Sequence, residues 1–280
     1  MPKFSANLHY LFTEVPFLDR FEAAARAGFR AVEFQVPYDY SPSELRARLH
    51  AHDLKMVLFD APMGDWKRGD RGIAAVAGRE AEFRESLEQV LDYSDGLDCR
   101  TVHVMAGVVG AGAAYDEAQG VYVENLRYAA RFLGERGITV VIEPINNRMG
   151  VIAGGPDYTT EGMHGYFLNH TAQARRIIEM VDSAHLYLHL DCYHMQMLEG
   201  NLAQTIRDNI DIVRHFQIAG VPGRHEPDVG EINYPYLFEL MDALGYAGWV
   251  GCEYRPRYST LAGLGWAAAY GIEGNDAGQA

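Results

Sequence analysis

Short apolar runs alternate with amphipathic stretches along the whole chain. Eight runs rich in β-branched and aromatic residues read as strands: Phe4–Leu8, Ala31–Gln35, Lys55–Phe59, Thr101–Met105, Thr139–Glu143, Leu186–Leu190, Val213–Ile218 and Trp249–Glu253. Between them, apolar residues recur at helical spacing in Phe17–Ala27, Ser43–His52, Glu80–Tyr93, Val121–Arg136, Ala172–Val181 and Tyr236–Leu244, with a shorter helix around Leu202–Asn209. Gly28, Gly137 and Gly245 stand where three of these helices should end. Apolar strands separated by helices are the pattern of a parallel sheet covered on its outer face. Eight such units in 280 residues, about 35 each, predict an α/β chain folded as a single (β/α)8 TIM barrel. The barrel domain is read over 1–270, with 271–280 as a flexible tail. A doubly wound open sheet is the alternative. Asn7-Leu8-His9-Tyr10 lacks the glycine-rich dinucleotide turn expected after its first strand.

The connections are unequal. Asp60–Ile73, Ala106–Gly120, Pro144–Gly165 and Ala219–Asn233 are longer or richer in glycine than a scaffold needs, and all four follow a strand. In a barrel that puts them on the C-terminal face, where active sites are built, so the asymmetry points to an enzyme. Composition narrows the class. The chain carries 24 basic and 38 acidic residues, a net charge of −14, which opposes nucleic acid as a partner. Polar residues interrupt every apolar stretch, so no membrane span is expected, and Met1–Ser5 lacks the apolar core of a signal peptide. Cys99, Cys192 and Cys252 fit neither a disulfide framework nor a zinc pattern, which makes the cytoplasm the expected location.

Four polar residues fall at the ends of consecutive strands. Glu143 closes the fifth, Asp191 follows the sixth, Gln217 stands in the seventh and Glu253 closes the eighth, at separations of 48, 26 and 36 residues. In one barrel they would converge on the axis. Three carboxylates and an amide oxygen suit a hard divalent cation, Mg²⁺ or Mn²⁺, which would also relieve their mutual repulsion. The competing reading pairs them with Arg148, Arg224 or Arg255. His194, three residues after Asp191, could hydrogen-bond a substrate oxygen, and His225 shares the seventh loop with Arg224. His103 and His189 lie within strands and read as satisfied core residues. Asp65-Trp66-Lys-Arg-Gly-Asp-Arg71 reads as a charged lid with one aromatic.

These residues sit in segments that resemble the hydroxypyruvate isomerase family, within the xylose isomerase-like barrels. The resemblance runs through Ala6-Asn7-Leu8, Pro16–Arg20, Pro62–Trp66, Gly69–Gly72, Glu143-Pro-Ile-Asn146, Gly165–Leu168, Asp191–Gln196, Ile218–Pro227, Gly230–Tyr234 and Gly251–Tyr254. It implies an aldose–ketose isomerase of a small 2-keto acid, with Glu143 and Glu253 as proton-transfer residues. Related ketose epimerases imply a metal shell at Glu143, Asp191 and Glu253, with Gln217 where those relatives carry histidine. His194, Arg224, His225 and Trp66 are the expected substrate contacts. No nucleotide motif appears, so no nucleotide cofactor is expected. The loop Arg148–His164 is longer than the family pattern, placing it over the site or in a homo-oligomer contact. The most specific expectation is hydroxypyruvate to tartronate semialdehyde. The alternatives are a 2-oxo-tetronate isomerase or ketose 3-epimerase using the same site, a metal-dependent phosphodiesterase, which the net charge opposes, and a non-enzymatic sugar-acid sensor.

Overall fold

The computed structural model describes residues 1–109, 113–148, 160 and 162–274. Eight parallel strands pair in chain order and close into a barrel: β1 (Lys3–Asn7), β2 (Ala31–Glu33), β3 (Lys55–Asp60), β4 (Thr101–His103), β5 (Thr139–Ile142), β6 (Leu186–Asp191), β7 (Val213–Ile218) and β8 (Trp249–Cys252). The expected α/β barrel is therefore the fold. Its outer layer is α1 (Arg20–Arg26), α2 (Pro42–Ala51), α3 (Glu80–Leu97), α4 (Ala113–Gly134), α5 (Thr171–Val181), α6 (Cys192–Leu198), α7 (Leu202–Asn209) and α8 (Tyr234–Ala243). Local chemistry sets several starts. Ser41 accepts from the Glu44 amide with Pro42 in the first turn of α2, and Asn233 accepts from the Tyr236 amide at the start of α8. Phe21, Leu45, Leu87, Leu126, Ile177, Ile206 and Phe238 are buried between these helices and the strands.

Three helical segments depart from the sequence reading, the first being α4, which begins at Ala113 inside the connection expected over Ala106–Gly120. Asp191-Cys-Tyr-His opens α6, because Asp191 Oδ1 accepts from the Tyr193 amide at 2.8 Å and caps it. Leu261–Tyr270 forms a 3₁₀ helix against the barrel, where Phe4 meets Trp266 and Tyr270 edge to face. The expected tail is docked through its first residues. Ile272 is buried, and the Glu273 amide donates to Ala27 O at 2.9 Å. Positions 275–280 lie outside the described residues.

The lumen is polar where most barrels pack branched apolar side chains. Glu33 of β2 meets His215 and Gln217 of β7, and the rings of His103 on β4 and His189 on β6 are 5.3 Å apart. None of these strand pairs is adjacent, so the contacts pass through the barrel interior. Register brings Asp191, Gln217 and Gly251 level on β6, β7 and β8. The polar floor thus lies directly under the C-terminal loops.

Candidate active site

At the C-terminal mouth lies a narrow, polar-lined cavity of about 40 Å³. Glu143, Gln217, Glu253, His194, Arg224 and Trp66 line it, joined by Gln35, Asp60, His103 and His189. Asp191 is not in the wall. It is 1% exposed and sits behind it, paired with Arg224. His225 does not reach the cavity either, since its Nδ1 is 2.9 Å from Arg255 O.

Arg224 organises the centre. Its Nη2 bridges Asp191 Oδ2 at 3.0 Å and Glu253 Oε1 at 3.2 Å, while Nη1 donates to Thr160 O at 2.6 Å. The rings of Tyr10 and Tyr193 each lie 5.0 Å from the guanidinium carbon. Burial opposes its charge, but Tyr10, Glu253 and Asp191 hold it protonated above the usual arginine range. The residue keeps φ at 53°, a left-handed backbone that a non-glycine residue adopts at a cost.

Three buried carboxyls, Glu143, Asp191 and Glu253, share the charge of this guanidinium, while buried Glu33 and Asp60 pair with His215 and His103. Burial, with Asp191 and Glu253 beside it, pushes Glu143 well above the usual carboxyl range. Burial does the same to Glu253, with Arg224 opposing. Asp191 is raised by burial against the pull of Arg224. Glu33 goes the other way. Although burial opposes it, His215, Gln217 and Ser5 hold its carboxyl below the usual range. Burial takes the His189 and His194 imidazoles well below the usual histidine range. Asn146 Nδ2 lies 2.8 Å from His194 Nδ1. With the amide as donor, Nε2 carries the hydrogen toward Asp191 and Glu143, 3.6 and 3.8 Å away.

Among the described residues, ligand atoms within 4.8 Å of one another group as Glu143, Asp191 and His194, and as His103, Glu143 and His189. Glu253 belongs to neither trio, because Arg224 and Gln35 engage its Oε1. The side chains still fit a cation. Glu143 Oε1, Gln217 Oε1 and both His189 nitrogens are buried without an aligned hydrogen-bond partner. His103 and His189, read from the sequence as satisfied core residues, line the cavity. The groups near Glu143 mix imidazole with carboxylate donors.

Several neighbours were not singled out in the sequence. Gln35 Nε2 donates to Glu253 Oε1 at 2.9 Å, and Gln35 Oε1 is 2.7 Å from His9 Nδ1. Burial lowers the His9 imidazole to about 4, with Arg20 adding to it and Gln35 opposing. Asp60 Oδ1 is 3.1 Å from His103 Nδ1. No spacing rule marks these contacts, because each joins different strands. Of the long loop expected over the site, 149–159 and 161 lie outside the described residues, while Thr160 and Met163 line the cavity. Trp66 lies on the 3₁₀ turn Trp66–Arg68, with the Arg71 guanidinium 3.7 Å from its ring.

Residues 21–270 match the xylose isomerase-like TIM barrel family. The chain is 50% identical over 270 residues to the 2-oxo-tetronate isomerase of Cupriavidus necator, covering 96% of this chain and 99% of that protein. It is 43% identical over 270 residues to the hydroxypyruvate isomerase of Escherichia coli, covering 96% and 100%. A solved structure titled as an AP endonuclease, family 2, from Brucella melitensis superposes with a TM-score of 0.90 at 45% identity, over 96% of this chain and 99% of that one. The chain belongs to the xylose isomerase-like TIM barrel family, in the group that holds the hydroxypyruvate and 2-oxo-tetronate isomerases.

Proposed function

We propose that this isomerase acts on a small 2-oxo acid bearing a hydroxyl on the next carbon, moving a proton between C3 and C2 through an enediolate. The observation that carries the reading is that Glu143 and Glu253, from different strands, line one cavity with both carboxyls held above their usual range. A raised carboxyl can act as base or acid near neutral pH, each role contributing about 10²–10⁴-fold.

For hydroxypyruvate, HOCH2–CO–COO⁻, one glutamate takes a proton from C3 as the C2 carbonyl becomes an enediolate oxygen. The other delivers a proton to C2 while the hydroxyl proton leaves O3 for O2, giving OHC–CHOH–COO⁻. Neutral His194 can donate its Nε2 hydrogen to a developing oxyanion, and Arg224 keeps Asp191 and Glu253 from repelling each other. Glu143 and Asp191, with His189 and Gln217, would hold a divalent cation. Such an ion supplies charge stabilisation for the enediolate when bound. Three buried carboxyls, Glu143, Asp191 and Glu253, sharing one guanidinium support that assignment.

The four-carbon 2-oxo-tetronate is a second reading, favoured by the 50% identity to an enzyme of that name. Room for a longer substrate exists beside the cavity, in a groove that shares Met63 and Trp66 with it. Three buried free cysteines accord with a reducing cytoplasm. The test is to assay hydroxypyruvate, 2-oxo-tetronate and free ketoses with Mn²⁺, with Mg²⁺ and after exhaustive chelation. Turnover confined to 2-oxo acids is expected. Turnover of ketoses alone would shift the reading to an epimerase.

A further inference from the structure

Beneath the cavity lies a carboxylate to which the isomerase reading gives no task. Glu33 is 1% exposed and reaches across the lumen, where its Oε1 accepts from Gln217 Nε2 at 2.7 Å. Its Oε2 lies 2.8 Å from His215 Nε2 and accepts from Ser5 Oγ at 2.7 Å. Gly251 on β8 makes the room: a Cβ there would come within 2.2 Å of Glu33 Oε1. Two strands and a glycine on a third therefore serve one carboxyl group.

A glutamine amide carries its oxygen and its NH2 in nearly interchangeable positions, so something must choose between them. With NH2 on Glu33, Gln217 turns Oε1 to the cavity side, where this buried oxygen faces the His189 imidazole without an aligned hydrogen bond. The flipped amide would set two acceptors against each other at Glu33.

We propose that Glu33 is a positioning residue that fixes the Gln217 amide, so that its oxygen faces the site and serves as a neutral ligand for a divalent cation. The assignment rests on the isomerase reading for its metal. The same carboxylate could orient a histidine at position 217. A histidine there would give Nδ1–H to Glu33 and keep Nε2 for the site, the usual arrangement of a metal-binding imidazole.

The test is a double-mutant cycle on the intact protein, Glu33→Gln and Gln217→Ala. Its readouts are calorimetric Mn²⁺ affinity without substrate, and kcat and KM on the best 2-oxo acid. Each single change is expected to weaken Mn²⁺ binding about 10- to 100-fold. The double variant should bind no worse than the weaker single, because both changes remove one ligand oxygen. Losses that multiply, an unchanged Glu33→Gln, or a wild type that binds no Mn²⁺ would each overturn the proposal. Should Glu33→Gln fail to fold, Gln217→His decides, with at least about 10-fold tighter Mn²⁺ expected and unchanged or weaker binding contradicting it. Coupled Mn²⁺ losses in a protein that turns over no 2-oxo acid would sink the isomerase reading and leave Glu33 its role.

Discussion

Arg224 carries charge that two carboxyls would otherwise need from elsewhere, since a single nitrogen contacts both Asp191 and Glu253. Removing it as Arg224→Met should destabilise the metal-free protein by about 3–5 kcal/mol in urea titration, because both partners stay buried. A loss under about 1 kcal/mol would mean the network carries little charge. The two glutamates have a different signature. Glu143→Gln and Glu253→Gln should each lower kcat by at least about 10²-fold while circular dichroism stays native. The double variant should lose less than the product of the two, as groups that act together do. Near-normal turnover in either would remove that residue from the mechanism. The cavity-lining glutamates were legible in the sequence because a polar residue closing an apolar strand breaks the pattern. Glu33, Gln35 and His9 were not, since their meaning lies in cross-strand contacts that no spacing reports.

Elements follow the same division. All eight strands were legible as apolar runs bounded by turn residues, and α7 was read at its observed limits. Helix α6 was missed because its seven residues open on Asp191, which reads as a loop until its side chain is seen to cap Tyr193. Leu261–Tyr270 escaped because its run of alanine and glycine carries no helical stripe. The connection Arg148–His164 sends Thr160 to Arg224 and Tyr10, so its far end touches the site. Shortening it between 149 and 159 should change KM, substrate preference or oligomeric state, with kcat retained on some 2-oxo acid. Abolished turnover in a folded, metal-binding variant would show that the loop carries chemistry instead.

The whole molecule concentrates buried titratable groups at one end of its barrel, and its stability should register them. The His9 imidazole is lowered from 6.5 to about 4 by burial, so the unfolded chain binds the proton first as pH falls. Stability from this group is complete above about pH 6.5 and is lost as the pH approaches 4, by at most about 3 kcal/mol, less for the ring's partial exposure. His189 and His194, held below their usual range by burial, add in the same direction. Denaturation midpoints across that window should flatten in His9→Asn, and an unchanged slope would assign the acid loss to other groups. The account's central claim is that two glutamates pass a proton between neighbouring carbons by way of an enediolate. Early turnover of hydroxypyruvate in D2O, quenched and read by mass spectrometry against an enzyme-free control, tests it most directly. One carbon-bound deuterium per product molecule, above the control, is the predicted result. A substrate hydrogen carried intact to the neighbouring carbon in every turnover would contradict it.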